Sequence, residues 1–148
     1  MRTPAWRALA LGFVLLSGAV SGTSVTTPWR VELEGDEYLA VFDADARLRI
    51  PLRFEILPPR IVTWEASPAN PDVWVLTYDS EGAGTQERFR ETRKVVVHVG
   101  SRKVLGDFLF EAKSLKEGPA PLRSEWTWEK GGLKIEDAAF GGSRSITF

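Results

Sequence analysis

The sequence predicts an all-β fold: a single antiparallel domain of about ten short strands. They form a β-sandwich, Ig-like or meander, or alternatively a small flattened barrel. Three observations predict it. Side chains alternate apolar and polar with period 2, most cleanly in RLRIPLRFEIL (47–57). Turn signals recur at short intervals: Gly35-Asp36, Pro58-Pro59, Gly100-Ser101, Gly131-Gly132 and Gly141-Gly142. No stretch carries the 3.6-residue apolar periodicity of an amphipathic helix. Regularly spaced short strands with tight turns are the pattern of sandwiches and barrels.

Taken in order, WRVELE (29–34) sets Trp29, Val31 and Leu33 against Arg30, Glu32 and Glu34, and EYLAVF (37–42) returns after Gly35-Asp36 as a hairpin. DADA (43–46) is a turn. In 47–57, Leu48, Ile50, Leu52, Phe54 and Ile56 fall on one face, and Arg47, Arg49, Pro51, Arg53 and Glu55 on the other. Pro51 has no N–H for a ladder, so this strand belongs at an edge or a bulge. The arginines would guard that edge. IVTWEA (61–66) follows the Pro58-Pro59 break. After the SPANPD loop (67–72), VWVLTY (73–78) is apolar on both faces, as a central strand is. SEGAGT (80–85) reads as a turn. QERFRETRKVVVHV (86–99) is long enough to bend midway, and Gly106 in RKVLGDFLFEA (102–112) suggests a bulge. After the KSLKEGPAP loop (113–121), LRSEWTWEK (122–130) and LKIEDAAF (133–140) pair across Gly131-Gly132, and SRSITF (143–148) closes the chain.

The first residues have the order of an export signal. Arg2 and Arg7 precede a short apolar run (8–16), and small residues follow. The expected division is a cleaved signal peptide over 1–22 and one all-β domain over 23–148, placed in the periplasm or outside the cell. The apolar run is too short for an ordinary membrane span, and no second one occurs, so no transmembrane helix is expected in the mature chain. With no cysteine in the sequence, disulfides and thiolate zinc sites are excluded. About 125 residues suffice to bury a core without them. Leaving out Arg2 and Arg7 takes the 19 basic side chains to 17 against 20 acidic ones, a charge of about −3. That is not the footprint of a nucleic-acid binder or of a polybasic membrane-surface protein.

Candidate sites are few. Trp126 and Trp128 point the same way from one strand, with Glu125, Thr127 and Glu129 opposite. They form either a core face or a flat platform for sugar rings, since indole offers an apolar plane and one N–H donor. Arg49 and Arg53 share a face, as do Arg88, Arg90 and Lys94. If their strands are neighbours, a basic stripe for an anionic glycan or headgroup results. If not, nearby Glu55, Glu87 and Glu91 make an ordinary ion-paired surface. His98, the only histidine, sits among valines without a base or ligand partner at a telling spacing. Asp43 and Asp45 lack the further oxygen ligands of a calcium loop and suit a turn. No serine lies in a nucleophile elbow. No catalytic residue, metal ligand or cofactor is assigned.

IVTWEASPANPDVWVLTY (61–78) resembles the B-to-C strand region of fibronectin type III and other immunoglobulin-like domains, with a tryptophan on one strand and a tyrosine on the next. The resemblance implies a sandwich fold and carries no site residue. The expected function is an exported, non-catalytic binding or interaction module. Its partner would be a glycan, a lipophilic small molecule or another exported protein. One alternative is a carbohydrate-binding module with a tryptophan platform. Another is a small β-barrel carrier with a cavity lined by Trp74, Leu76 and Phe108. An outer-membrane barrel, suggested by the terminal Ile146 and Phe148, and a hydrolase are weaker alternatives. Several strands fall short of the roughly 9–11 residues a spanning strand needs.

Overall fold

A computed structural model describes residues 27–84, 87–118 and 120–148. The expected signal segment and its cleavage point lie outside the described residues. Eleven strands and no helix occur among those described. They are β1 (Trp29–Glu34), β2 (Glu37–Phe42), β3 (Asp45–Leu52), β4 (Arg60–Ala66), β5 (Val73–Ala83), β6 (Arg88–His98), β7 (Lys103–Ser114), β8 (Leu122–Arg123), β9 (Glu125–Glu129), β10 (Gly132–Glu136) and β11 (Ser143–Thr147). They form three antiparallel sheets, none closed into a barrel: β1-β2-β3, β4-β5-β6-β7-β8 and β9-β10-β11. The chain is an all-β, sandwich-like protein in which each hydrogen-bonded neighbour is also a neighbour in sequence. Of the two sandwich forms expected, this is the meander. No helix of the described residues is long and apolar enough to cross a membrane.

The five-stranded sheet is the middle layer. Along β5 and β6 the side chains alternate between two cores. Leu76, Tyr78, Val95 and Val97 pack against Trp29, Ala40, Leu48, Ile50 and Leu52 of the first sheet. Val73, Val75, Val96 and Phe108 pack against Leu133, Ile135 and Ile146 of the third. This is why VWVLTY and VVV carry apolar residues at consecutive positions: both faces of a central strand are covered.

Ser124 is the corner between the middle and third layers. β8 pairs with β7, and one residue later β9 pairs with β10. Buried Ser124 fixes the switch: its N–H donates to Phe110 O at 2.8 Å, its Oγ donates to Leu109 O at 2.8 Å, and that Oγ accepts from Ala138 N at 3.0 Å. The expected single strand over 122–130 is therefore two strands in two sheets.

Other boundaries also differ from expectation. The strand expected over 47–57 ends at Leu52, opposite Tyr38 and one residue short of the start of β2 at Glu37. Residues beyond it cross the middle sheet instead. Arg53 N donates to Tyr78 Oη at 3.1 Å and Ile56 N to Glu81 O at 3.0 Å. Phe54 and Ile56 are thus exposed rather than buried. SEGAGT does not begin a turn at Ser80, since β5 runs on to Ala83; Thr85 and Gln86 lie outside the described residues. Gly82 serves a close approach there, since a Cβ would stand 2.7 Å from the Phe89 ring and 2.8 Å from Glu55 Oε2. The β6–β7 connection is four residues long, 99–102, rather than the pair Gly100-Ser101. The β9–β10 turn is Lys130-Gly131, with Gly131 in the left-handed region at φ 74° that an L side chain resists. A register shift between Val96 and Val97 gives β7 an irregularity beside Gly106, as expected. β3 is an edge strand and carries Pro51.

Candidate functional site

The first sheet is three strands wide, and its β3 edge leaves part of β7 uncovered. A groove of about 410 Å³ runs along that seam. Ile50, Leu52, Tyr78 and Val95 lie at its floor, nearly buried. Phe54 and Val104 form its walls, and Val104 stays 49% exposed although it sits on a strand of the middle sheet. Arg53 and Asp107 line the groove too, with Glu37 a further polar group on its lining.

Arg53 also lines the two adjacent clefts: one with Arg93, Asp107, Phe140 and Arg144, the other with Phe54, Glu55, Ser80, Glu91 and Arg93. Its backbone is pinned by Tyr78 Oη, while its side chain is 70% exposed. Its ionic neighbour is Asp107, at 3.8 Å. The Asp107 carboxylate also stands 3.9 Å from Arg93, whose nearer partner is Glu91 at 2.9 Å. Asp107 therefore lies between two guanidinium groups, beyond hydrogen-bond range of either. Burial pushes the Tyr78 phenol above its ordinary pKa, with the Arg53 N–H and the Arg93 charge acting in the opposite sense. It stays a neutral phenol at the groove floor. A second link between β3 and β7's end of the middle sheet is Arg102 to Asp45. Hydrogen bonds from Arg102 and Arg47 pull that carboxyl down to about 2.

Most of the opposite face of the middle sheet is covered by the third sheet, apart from the cleft beside Phe108, Phe140 and Arg144. Ile146 of β11 lies directly on Gly106 of β7, where a Cβ would come within 2.6 Å of it. Under this cover Lys94 is only 7% exposed. Its Nζ donates to Thr77 Oγ1 at 2.7 Å and stands 4.6 Å from the Phe110 ring centre and 4.9 Å from that of Trp126. Desolvation lowers its pKa, partly offset by the charge of Glu65. Glu65 in turn accepts from Trp128 Nε1 at 3.1 Å.

The residues singled out from sequence fall at four places. Trp126 and Trp128 face inward, half-buried against the core of the third sheet, and meet edge to face at 5.5 Å. Arg49 is on the first sheet and donates to Glu32 at 3.1 Å and Glu34 at 2.7 Å. Arg88 and Arg90 both reach Glu81, at 2.7 and 3.5 Å. Only Arg53 is in the groove. The basic stripe does not form, because β3 and β6 belong to different sheets and Lys94 is buried. Leu76 and Phe108 point into opposite cores and do not line one cavity. His98 Nδ1 accepts the Ser101 N–H at 3.1 Å, and Asp43 and Asp45 are held by Arg30 and by Arg47 and Arg102.

Sequence reasoning missed Asp107, Tyr78 and Val104. Asp107 had a signal: it is an acid inside an apolar strand, VLGDFLF. Val104 had none, since its exposure depends on the width of another sheet. No group of three or more metal-ligating side chains occurs among the described residues. No protein-family model, no curated protein and no solved structure matches the chain.

Proposed function

We propose that this chain is an exported, non-catalytic binding module whose ligand lies in the groove between β3 and β7. One observation carries the proposal: an apolar floor and walls are left open between two sheets, at a volume within the roughly 300–1,000 Å³ of small-molecule sites. The ligand is lipophilic over most of its length and polar at the end that meets Arg53 and Asp107. The N-terminal pattern of Arg2, Arg7 and the apolar run supports export. The commitment of His98 to a turn and of Glu91 to Arg93 supports binding over catalysis.

Binding of the neutral apolar dye Nile red to residues 23–148 tests this. Wild type should bind it with a fluorescence gain, and Val104→Trp, which fills the groove from an exposed position, should lose that gain while keeping its unfolding midpoint. No binding by wild type, or equal binding by the variant, would overturn the groove as the site.

A second reading, an interface with another exported protein, is favoured by Phe140. It is 88% exposed at the tip of a braced turn. Asp137 Oδ1 accepts from Ala139 N at 2.9 Å and Phe140 N at 3.3 Å, and Asp137 Oδ2 accepts from Arg144 at 3.2 Å. Phe140→Ala should leave Nile red binding intact and abolish any such interface, seen as loss of a cross-linked partner in the native compartment.

A further inference from the structure

We infer that the groove takes an amphiphile with a single carboxylate head, held by Arg53, with its apolar chain laid between β3 and β7. This rests on the groove being the binding site proposed above and names its ligand class.

Among the described residues, Arg53 is the one cation on the groove's lining, beside the acids Asp107 and Glu37, and its unused donors point to an anion. The Arg53 guanidinium is largely in solvent and, among the described residues, donates no hydrogen bond; its ionic neighbour is 3.8 Å away. Five N–H donors in a planar fork are matched best by a carboxylate or phosphate. Arg49 and Arg88 differ, each within 2.7 Å of a carboxylate oxygen. Asp107 shows the chemistry the place accepts: its carboxylate stands between Arg53 and Arg93, touching neither closely. It also limits the charge of the ligand. A second negative charge beside Asp107 is repelled more strongly than one, so a monoanion is preferred to a phosphate dianion.

The occupant is a free small molecule. An added peptide strand would need the edges of the groove's walls. Pro51 on β3 has no N–H to offer one, and Arg144 already donates to Asp107 O on β7 at 2.6 Å. A bilayer cannot reach the floor, since Ile50, Leu52 and Val95 lie between two packed sheets. The chain of the ligand has to leave the membrane to touch them.

Calorimetric titration of wild type, Arg53→Gln and Asp107→Asn with decanoate, decanol, decylamine and decyl phosphate tests the inference, each ligand below its micelle concentration. Wild type should bind decanoate about tenfold or more tighter than decanol, as a charge-assisted hydrogen bond implies. R53Q should reduce decanoate to the level of decanol and leave decanol unchanged. D107N, which removes a competing acid, should tighten decanoate severalfold. The opposite signs of the two variants separate a head-group role from damage to the fold. Equal binding of decanol and decanoate would overturn the carboxylate class while leaving the groove as the site. Tightest binding of decylamine, lost in D107N, would make Asp107 the head ligand and overturn the inference. Decyl phosphate binding as tightly as decanoate would overturn the monoanion. No binding of any of the four would overturn the groove and the inference together.

Discussion

The two faces of the middle sheet meet the same problem, a cationic side chain among apolar ones, and solve it differently. Under the third sheet, β11 reaches across β7, and Lys94 is shut in with Thr77, Phe110 and Trp126. Its charge is accommodated by one hydroxyl and two aromatic faces, and desolvation weighs on it. Under the first sheet, cover stops at β3, so Arg53 remains in water beside an open apolar trough. The number and reach of the covering strands decide which cation is buried and which stays in water.

The largest test of this contrast is packing. Leu133→Ala, on the covered face, should cost about 2–5 kcal/mol in urea unfolding, as a fully buried leucine does. Val104→Ala, on the open face, should cost about 0.5 kcal/mol or less. Similar losses for the two would mean the seam is not open. Next, Trp126→Ala should cost about 2–3 kcal/mol, because a half-buried indole and its contact with Lys94 are lost together. A near-neutral result would return the tryptophan pair to consideration as a sugar platform.

A smaller effect should come from Lys94→Met, which keeps the volume and removes the buried charge; we expect a gain of about 1 kcal/mol at neutral pH. The pH dependence carries its own sign. The Lys94 pKa is lower in the folded chain than the ordinary lysine value of 10.5, so the unfolded chain binds more protons. Its contribution to stability therefore rises with pH towards 10.5, and K94M should remove that rise in alkaline denaturation curves. Tyr78 acts in the opposite sense: its folded pKa is raised from 10.0, so its stabilising contribution is full below that pH and declines as pH climbs through the raised value. Tyr78→Phe isolates that decline. Smallest of all should be the effect of Arg53→Gln on stability, within about 0.5 kcal/mol. A larger loss would assign Arg53 to the fold rather than to a ligand.

Much of the architecture was legible because period-2 alternation and turn residues are local. β1 and β2 coincide with the expected WRVELE and EYLAVF, and the doubly apolar VWVLTY is the central strand its composition implied. The errors arise where a distant partner decides. RLRIPLRFEIL alternates throughout, yet only the part opposite β2 pairs, and Tyr78 and Glu81 capture the remainder. EWTWEK alternates as expected, but nothing in RSEW announces that Ser124 changes sheets. Of the candidate site, Arg53 was visible as one arginine among several. What distinguishes it is the missing fourth strand beside β3, and an absence in another sheet leaves no mark in the local sequence.

The in-order pairing of all three sheets has a kinetic consequence. Each ladder joins a strand to the next one along the chain, so loop closures are short, and the slow step common in Greek-key sandwiches, bringing distant strands together, is absent. Each sheet can grow hairpin by hairpin, and only the docking of layers spans long stretches of sequence. For a chain without a disulfide to trap partly folded states, that local order shortens the time its unpaired edges stand open to aggregation.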